Sequence, residues 1–184
     1  VNMQVGNNLS VSTTVSGSNT AQAMAGSGAL ISGEASTAQT TNSPSAKLTL
    51  GSDTFNAGNI SLQAVTNMTY DAYADSVNVN LAGGGGTKVT NTSNPAAQVN
   101  LGGGTTLTST GQIDIASNNI FQRGIQSNEV DGLMVRVGAG GVLTGYGGSI
   151  TTTFSPISTV TIADGNVIKS TGSADYAPTR TSSG

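Results

Sequence analysis

The chain has 184 residues, of which only 8% are charged and 26 are glycine, and its formal net charge is −3. Histidine and cysteine are absent, which excludes thiol nucleophiles, serine–histidine triads and the usual zinc or copper sites. The six basic residues are scattered singly, and no run of about 18 apolar residues is present. We therefore expect no nucleic-acid partner, no insertion into a membrane, and no metal or other cofactor.

Three stretches share a glycine followed by alternating aliphatic and polar residues: VGNNLSVST, NAGNISLQA and TSTGQIDIASN. Their first aliphatic positions are Leu9, Ile60 and Ile113, which are 51 and 53 residues apart. Strict alternation over a few residues is typical of a strand that buries one face. A phrase that recurs at such a spacing indicates a repeated structural unit.

A second phrase follows three of the four prolines in the same register. SAKLTLG follows Pro44, AAQVNLG follows Pro95, and ISTVTIA follows Pro156, so the proline spacings are 51 and 61 residues. We predict a single segment over 1–184 built from three imperfect repeats. Their approximate bounds are 6–57, 58–110 and 111–172, and 173–184 begins a further repeat or forms a tail.

The stretches between these phrases also predict strands. SVNVNLAGGGG and GLMVRVGAGG each alternate apolar and polar residues and end in glycines, which we interpret as corners with positive φ. STAQTTNSPSA has no apolar period and contains a Ser-Pro step that disfavours a helix. The whole chain is therefore expected to be all-β.

Short strands, glycine corners and small side chains favour a parallel β-solenoid, in which side chains of successive coils form ladders. With about 20 residues per coil, each repeat would supply two to three coils. The alternative is a Greek-key β-sandwich, which usually has a Trp or Tyr anchor and a repeat nearer 100 residues.

The ordered motifs resemble the long repeats of large bacterial filamentous adhesins, of the leukotoxin and filamentous-haemagglutinin type. The matching stretches are Leu48–Ala64, Val99–Ala116 and Val160–Gly172. The resemblance implies a right-handed parallel β-helix that serves as a stalk on the bacterial cell surface, with no catalytic residue. The spacers depart from the family because they contain Tyr70, Tyr73, Phe121 and Arg123 where small residues are common, which could mark a side loop with a contact role.

The carboxylates leave one chemical alternative open. If YDAYAD is extended, Asp71, Tyr73 and Asp75 share one face, which could meet a sugar or a calcium ion. The favoured interpretation is that these residues solvate an exposed loop. A turn before a strand accounts for Glu129 and Asp131.

Two further acids and the glycine runs have structural interpretations. Asp53 and Asp164 occupy positions where turns favour Asp. AGGGGTK and LGGGTT lack the phosphate-loop spacing and a following helix, so we interpret them as corners.

The sequence thus predicts a structural stalk or adhesive segment of an extracellular bacterial surface protein, without catalysis. Its partners would be neighbouring repeats or copies of itself, and a host surface, an abiotic surface or a glycan stays open as an external partner. One alternative is a subunit of a self-assembling extracellular β-rich filament. A second is a carbohydrate-binding or carbohydrate-cleaving β-helix.

Overall fold

The computed structural model describes residues 1–124 and 135–172, together with the backbone of 174–183. These residues form strands and no helix, which confirms the prediction of an all-β chain. The strands are β1 (Asn2–Gln4), β2 (Asn8–Asn42), β3 (Ser45–Leu50), β4 (Thr54–Ala57), β5 (Asn59–Ser93), β6 (Ala96–Leu101), β7 (Thr106–Ser109), β8 (Ile113–Arg123), β9 (Val135–Gly140), β10 (Leu143–Phe154), β11 (Ile157–Ile162), β12 (Val167–Ser170) and β13 (Ala174–Ser183).

The strands form three sheets that the chain visits in a fixed order. The first sheet contains β1, β4, β7 and β12, the second contains β2, β5, β8, β9, β10 and β13, and the third contains β3, β6 and β11. Each described pair of neighbouring strands is parallel. The β-sandwich alternative is therefore wrong, because its sheets are antiparallel, and the chain is a parallel β-solenoid.

The prediction of two to three coils per repeat is wrong, because each repeat forms one coil. Leu9 lies beside Ile60, which lies beside Ile113, so one circuit of the solenoid consumes 51 or 53 residues. The cause is the unbroken length of β2 and β5, which contain 35 residues each. Neighbouring parallel strands are about 4.8 Å apart, so three coils and the start of a fourth advance only about 15–20 Å along the axis.

The aliphatic residues of the repeated phrases form the main core, which the three sheets surround. We call this part of the molecule the base. Its largest side chains include Ile60 and Ile113 from the second sheet, Leu107 from the first and Leu101 from the third, all at most 1% exposed. Because aliphatic residues stack on aliphatic residues of the next coil, the core continues from coil to coil.

The corners of the base use prolines and glycines of the repeat. The Ala96 N–H donates to the Pro44 carbonyl at 2.8 Å, and the Ile157 N–H donates to the Pro95 carbonyl at 2.8 Å. The prolines thus stack where the chain passes from the second sheet to the third. Gly104 has a φ of 83° in the LGGGTT stretch, which confirms that stretch as a corner.

Beyond the base, each long strand folds back on itself and its two halves face each other. The Asn19 Nδ2 atom donates to Asn91 Oδ1 at 3.2 Å, and the Thr40 hydroxyl donates to the same oxygen at 2.7 Å. Ala21 packs in one small cluster with Ala38. We call this two-layered projection the arm; it comprises 17–42, 68–93, and 121–124 with 135–154, and extends about 40 Å to a tip near Leu30.

The glycine run at 83–86 is not a positive-φ corner as predicted, because it continues β5 near the tip of the arm. In the described chain, positive φ occurs at Gly104 and Gly165 only. Glycine is instead required by close approach between coils. A Cβ atom on Gly83 would overlap the carbonyl oxygen of Ser32, and one on Gly85 would overlap that of Glu34.

Candidate functional site

Near its tip, the interior of the arm is lined by small and polar side chains, and the aliphatic residues there point outward. Closer to the base, Val89 is buried in a cluster of alanines. Asn78 and Asn80 are 1% and 6% exposed, and their side chains bond to residues of neighbouring coils. Asn78 accepts from the Ser27 N–H, and Asn80 donates to the Tyr146 hydroxyl at 2.7 Å. Because strand residues alternate between two faces, the intervening Val79 and its neighbours point to solvent.

The outward aliphatic side chains concentrate near the tip of the arm. We call them the distal patch, and each is between 48% and 76% exposed. Its members are Met24, Leu30, Ile31, Val77, Val79, Leu81, Val142 and Leu143. They come from three successive coils, since Val142 donates its N–H to the Leu81 carbonyl and Ile31 lies beside Ala82. Ile31 and Leu143 follow the tip, and the other members precede or form it. Clustered exposed apolar side chains commonly mark an interaction site.

The patch has a definite relief, because the outward valines of the second coil lie between glycines. Val77 is flanked by Gly26 in the first coil and Gly138 in the third. Val79 is flanked in the same way by Gly28 and Gly140. The two valines therefore form a ridge, and a row of glycines on each side leaves a flat step.

The acidic stretch YDAYAD lies in β5 at the inner end of the same face. Asp71, Tyr73 and Asp75 are 4%, 3% and 9% exposed, so the prediction of an exposed loop is wrong. The Tyr73 hydroxyl donates to Asp75 at 3.2 Å, and Arg136 donates from Nη2 and Nε to the two Asp75 oxygens at 2.8 and 3.2 Å. The hydrogen bonds to Asp75 raise the pKa of the Arg136 guanidinium above its ordinary value, and the negative charge of Asp75 adds to this shift.

The Asp75–Arg136 ion pair borders a shallow concavity of about 410 Å³ that continues into the valine ridge. Met24, Gly26 and Val77 supply its apolar side. A carboxylate already held by two guanidinium bonds is poorly placed to act as a nucleophile or to bind calcium. Within the described ranges, no three acidic, histidine or cysteine side chains come together in a way that could hold a metal ion.

Two aromatic residues of the spacers, Tyr70 and Phe121, lie in strands and stack together instead of forming a side loop, while 125–134 of the last spacer lie outside the described residues. The rings of Tyr70 and Phe121 stack with centroids 4.4 Å apart, and those of Phe121 and Phe154 stack at 4.0 Å. Phe121 is only 5% exposed, and Arg123 ends β8. The stack joins both halves of the arm near the base.

Asp53 and Asp164 lie where the turn chemistry predicts. The Asp53 carboxylate accepts the Gly51 N–H at 2.9 Å and pairs with the amino group of Val1 at 2.6 Å. The bond from that amino group, followed by the one from Gly51, lowers the pKa of Asp53 below its ordinary value. Asp164 lies in the turn before β12, while Glu129 and Asp131 lie outside the described residues.

Comparison of the chain with protein-family models, curated proteins and solved structures gives no match. The part of the chain that the structure describes contains no helix with the length and hydropathy needed to cross a bilayer. The solenoid itself and the outward face of its arm are therefore the features from which a function can be inferred.

Proposed function

We propose that the chain is a structural segment of an extracellular bacterial surface protein, and that it acts as a stiff support rather than as an enzyme. One observation carries the proposal: the coils are joined in register by parallel strands over nearly their whole circuit. β2 and β5 alone are paired over almost all of their 35 residues. Bending such a stack requires many ladder hydrogen bonds to distort together.

The cross-section suggests what kind of support this is. An ordinary solenoid of about 20 residues per coil rises about 4.8 Å with each coil, whereas this chain spends 51 to 61 residues on the same rise. The additional residues build the arm. The segment is thus a broad, flat plate, which we call the plank. It advances little along the solenoid axis for each residue, and its large lateral surface is suited to contacts with other molecules.

Small-angle scattering and hydrogen exchange on the purified chain test the support function. We expect a flat particle, thin along the solenoid axis, with slowly exchanging amides in all three sheets of the second coil. The expected dimensions are about 15–20 Å along the axis and more than about 40 Å across the arm. A near-spherical particle, or rapid exchange throughout the long strands, would contradict a rigid plank.

A second candidate is a filament subunit, which the free edge of the first coil favours. In the chain as it stands, β2 pairs with β5 on one side, and its other edge has no partner strand among the described residues. An open edge of this length can template a strand from another molecule, although a preceding coil of a longer chain would cover it equally well. Fibres that lengthen with concentration in electron micrographs would support the filament, and isolated plates would oppose it.

A carbohydrate-active β-helix is the third candidate, and the concavity beside Asp75 is where a sugar would bind. Its support is limited to the proximity of carboxylate, guanidinium and tyrosine groups. A glycan array probed with the wild-type chain and the Asp75→Ala variant tests it. Binding that the substitution abolishes would support a sugar site, and the same profile for both proteins would remove the candidate.

A further inference from the structure

The distal patch carries an inference about a partner, because its relief is complementary to itself. The valine ridge of the second coil and the glycine rows of the first and third coils have the same spacing along the arm. Val77 and Val79 are two positions apart, as are Gly138 and Gly140. A ridge on one copy therefore fits a glycine row on another, with both valines in register.

We propose that the distal patch is a self-association surface, on which a second copy of this chain packs with its valine ridge on the glycine row of the first. The arrangement is satisfied by a two-fold axis that runs along the arm between the second and third coils. Val77 of each copy then faces Gly138 of the other, and Val79 faces Gly140. Such a contact is isologous, because each copy contributes the same ridge and the same row.

The electrostatics of the outward face favour another copy over a charged partner. Asp71 is buried, and Asp75 and Arg136 neutralise each other at 2.8 Å. The charges of this pair are therefore already compensated when two such faces meet, whereas burial of an unpaired charge would be costly. The dry interdigitation of small and β-branched side chains between sheets is a stable packing in stacked strands.

The exposed area sets the strength of the association. The six aliphatic side chains of the patch that precede or form the tip are half to three-quarters exposed and offer on the order of 400 Å² of apolar surface; they are Met24, Leu30, Val77, Val79, Leu81 and Val142. This is comparable to the largest patch on a typical monomer, and it is below the ~800 Å² that each partner gives to a standard interface. We therefore expect a weak, reversible dimer rather than a permanent one.

The inference does not rest on the stalk function. It concerns the side of the arm, whereas stacking into a filament would use the strand edges at the ends of the solenoid. In a surface protein, contacts of this type would join neighbouring planks laterally.

Sedimentation velocity on the purified chain over a wide concentration range tests the proposal with two double variants. Val77→Thr with Val79→Thr keeps the shape of the ridge and removes its apolar character. Gly138→Val with Gly140→Val fills the row, and the added Cβ atoms would lie at ordinary contact distances of 3.8–4.0 Å from the methyl groups of Val77 and Val79. Circular dichroism establishes that each variant is folded.

We expect reversible dimerisation of the wild-type chain and a dissociation constant raised at least about tenfold in both double variants. Ile157→Thr is the control, because Ile157 is 57% exposed on the base, outside the patch, and its substitution should change nothing. The glycine-to-valine variant is decisive, since it makes the surface more apolar and yet should weaken the dimer.

Three results would overturn the proposal. A wild-type chain that stays monomeric would show that the patch does not pair, and binding of that monomer to phosphatidylcholine vesicles would assign the patch to a lipid surface. Stronger association of the glycine-to-valine variant would indicate unspecific apolar contact. Association unchanged in both double variants would place the contact at the open strand edges.

Discussion

Replacement of Asn119 by leucine tests how the base is held together, because Asn119 is fully buried and joins two sheets. Its Oδ1 atom accepts from the hydroxyl of Thr66, which lies beside it in the preceding coil. Its Nδ2 atom donates to the Ile157 carbonyl and to the Ser158 hydroxyl, both at 2.8 Å, in the third sheet. Leucine has nearly the same shape but cannot make any of these bonds.

The structure sets the size of the effect. A buried polar group that loses its partner costs about 1–3 kcal/mol. Asn119→Leu removes a partner from the fully buried Thr66 hydroxyl and from two part-buried groups, the Ile157 carbonyl and the Ser158 hydroxyl. Burial of the leucine side chain returns about 1.5–3 kcal/mol. We therefore expect a net loss of about 3 kcal/mol in the free energy of unfolding.

Urea unfolding followed by circular dichroism measures this loss. With a denaturant slope of about 1–3 kcal/mol/M, the midpoint should fall by about 1 M or more. Asn118→Leu is the matched control, since Asn118 is half-buried on the opposite face of β8 and should change stability by less than about 0.5 kcal/mol. An Asn119→Leu variant as stable as the control would refute the view that this network joins the sheets.

Two further predictions concern the arm and the first turn. Gly83→Ala should lower the free energy of unfolding by about 1–3 kcal/mol, because its Cβ atom would overlap the Ser32 carbonyl. Gly145→Ala should stabilise the chain slightly, since no atom lies within 4 Å of its Cβ position. Thermal unfolding of the two variants measures the difference. Asp53 has a lowered pKa, so its contribution to stability is present above pH 3.8 and is lost as the pH falls through the folded-state value. The wild-type chain should therefore lose urea stability relative to Asp53→Asn below pH 3.8, and a constant difference at all pH values would contradict the pairing with Val1.

The repeated phrases allowed the strands and their neighbours to be predicted from sequence. The equal offsets of Leu9, Ile60 and Ile113 are the offsets of the register itself, because a solenoid stacks equivalent residues. Pro44 and Pro95 could be aligned for the same reason, since a residue without an N–H is confined to the corner between sheets. At these positions the local sequence pattern and the observed strand register give the same alignment.

The number of coils per repeat could not be predicted, because no local pattern gives the length of a strand that bends without a turn residue. β2 reaches its tip at Leu30 and returns without a glycine of positive φ. The expectation assumed a coil of about 20 residues, and the glycine run at 83–86 was interpreted as one of its corners. Its glycines instead allow neighbouring backbones to approach closely, which is a property of the stack and not of the segment.

The candidate site was missed for a related reason. Alternation in SVNVNL shows that Val79 and Asn80 face opposite ways but not which of them faces inward. Near its tip the arm buries Asn80, which bonds to the Tyr146 hydroxyl of another coil, and leaves Val77 and Val79 exposed. A signal was present in the sequence, because the glycine run that faces these residues leaves little aliphatic surface for a valine to pack against.

The central claim is that each repeat forms one coil, and a disulfide cross-link tests it most directly because the chain has no cysteine of its own. Ser12 lies beside Gln63 in the next coil, and neighbouring strands at about 4.8 Å satisfy the Cα separation of a disulfide. Ser12→Cys with Gln63→Cys should therefore oxidise readily within the monomer. Ser12→Cys with Asn67→Cys is the control, since Asn67 lies beside Ser16 and is four residues, or about 13 Å, out of register. Rapid cross-linking of the first pair alone is the predicted result, and a first pair that stays reduced, as two to three coils per repeat would require, would contradict the fold.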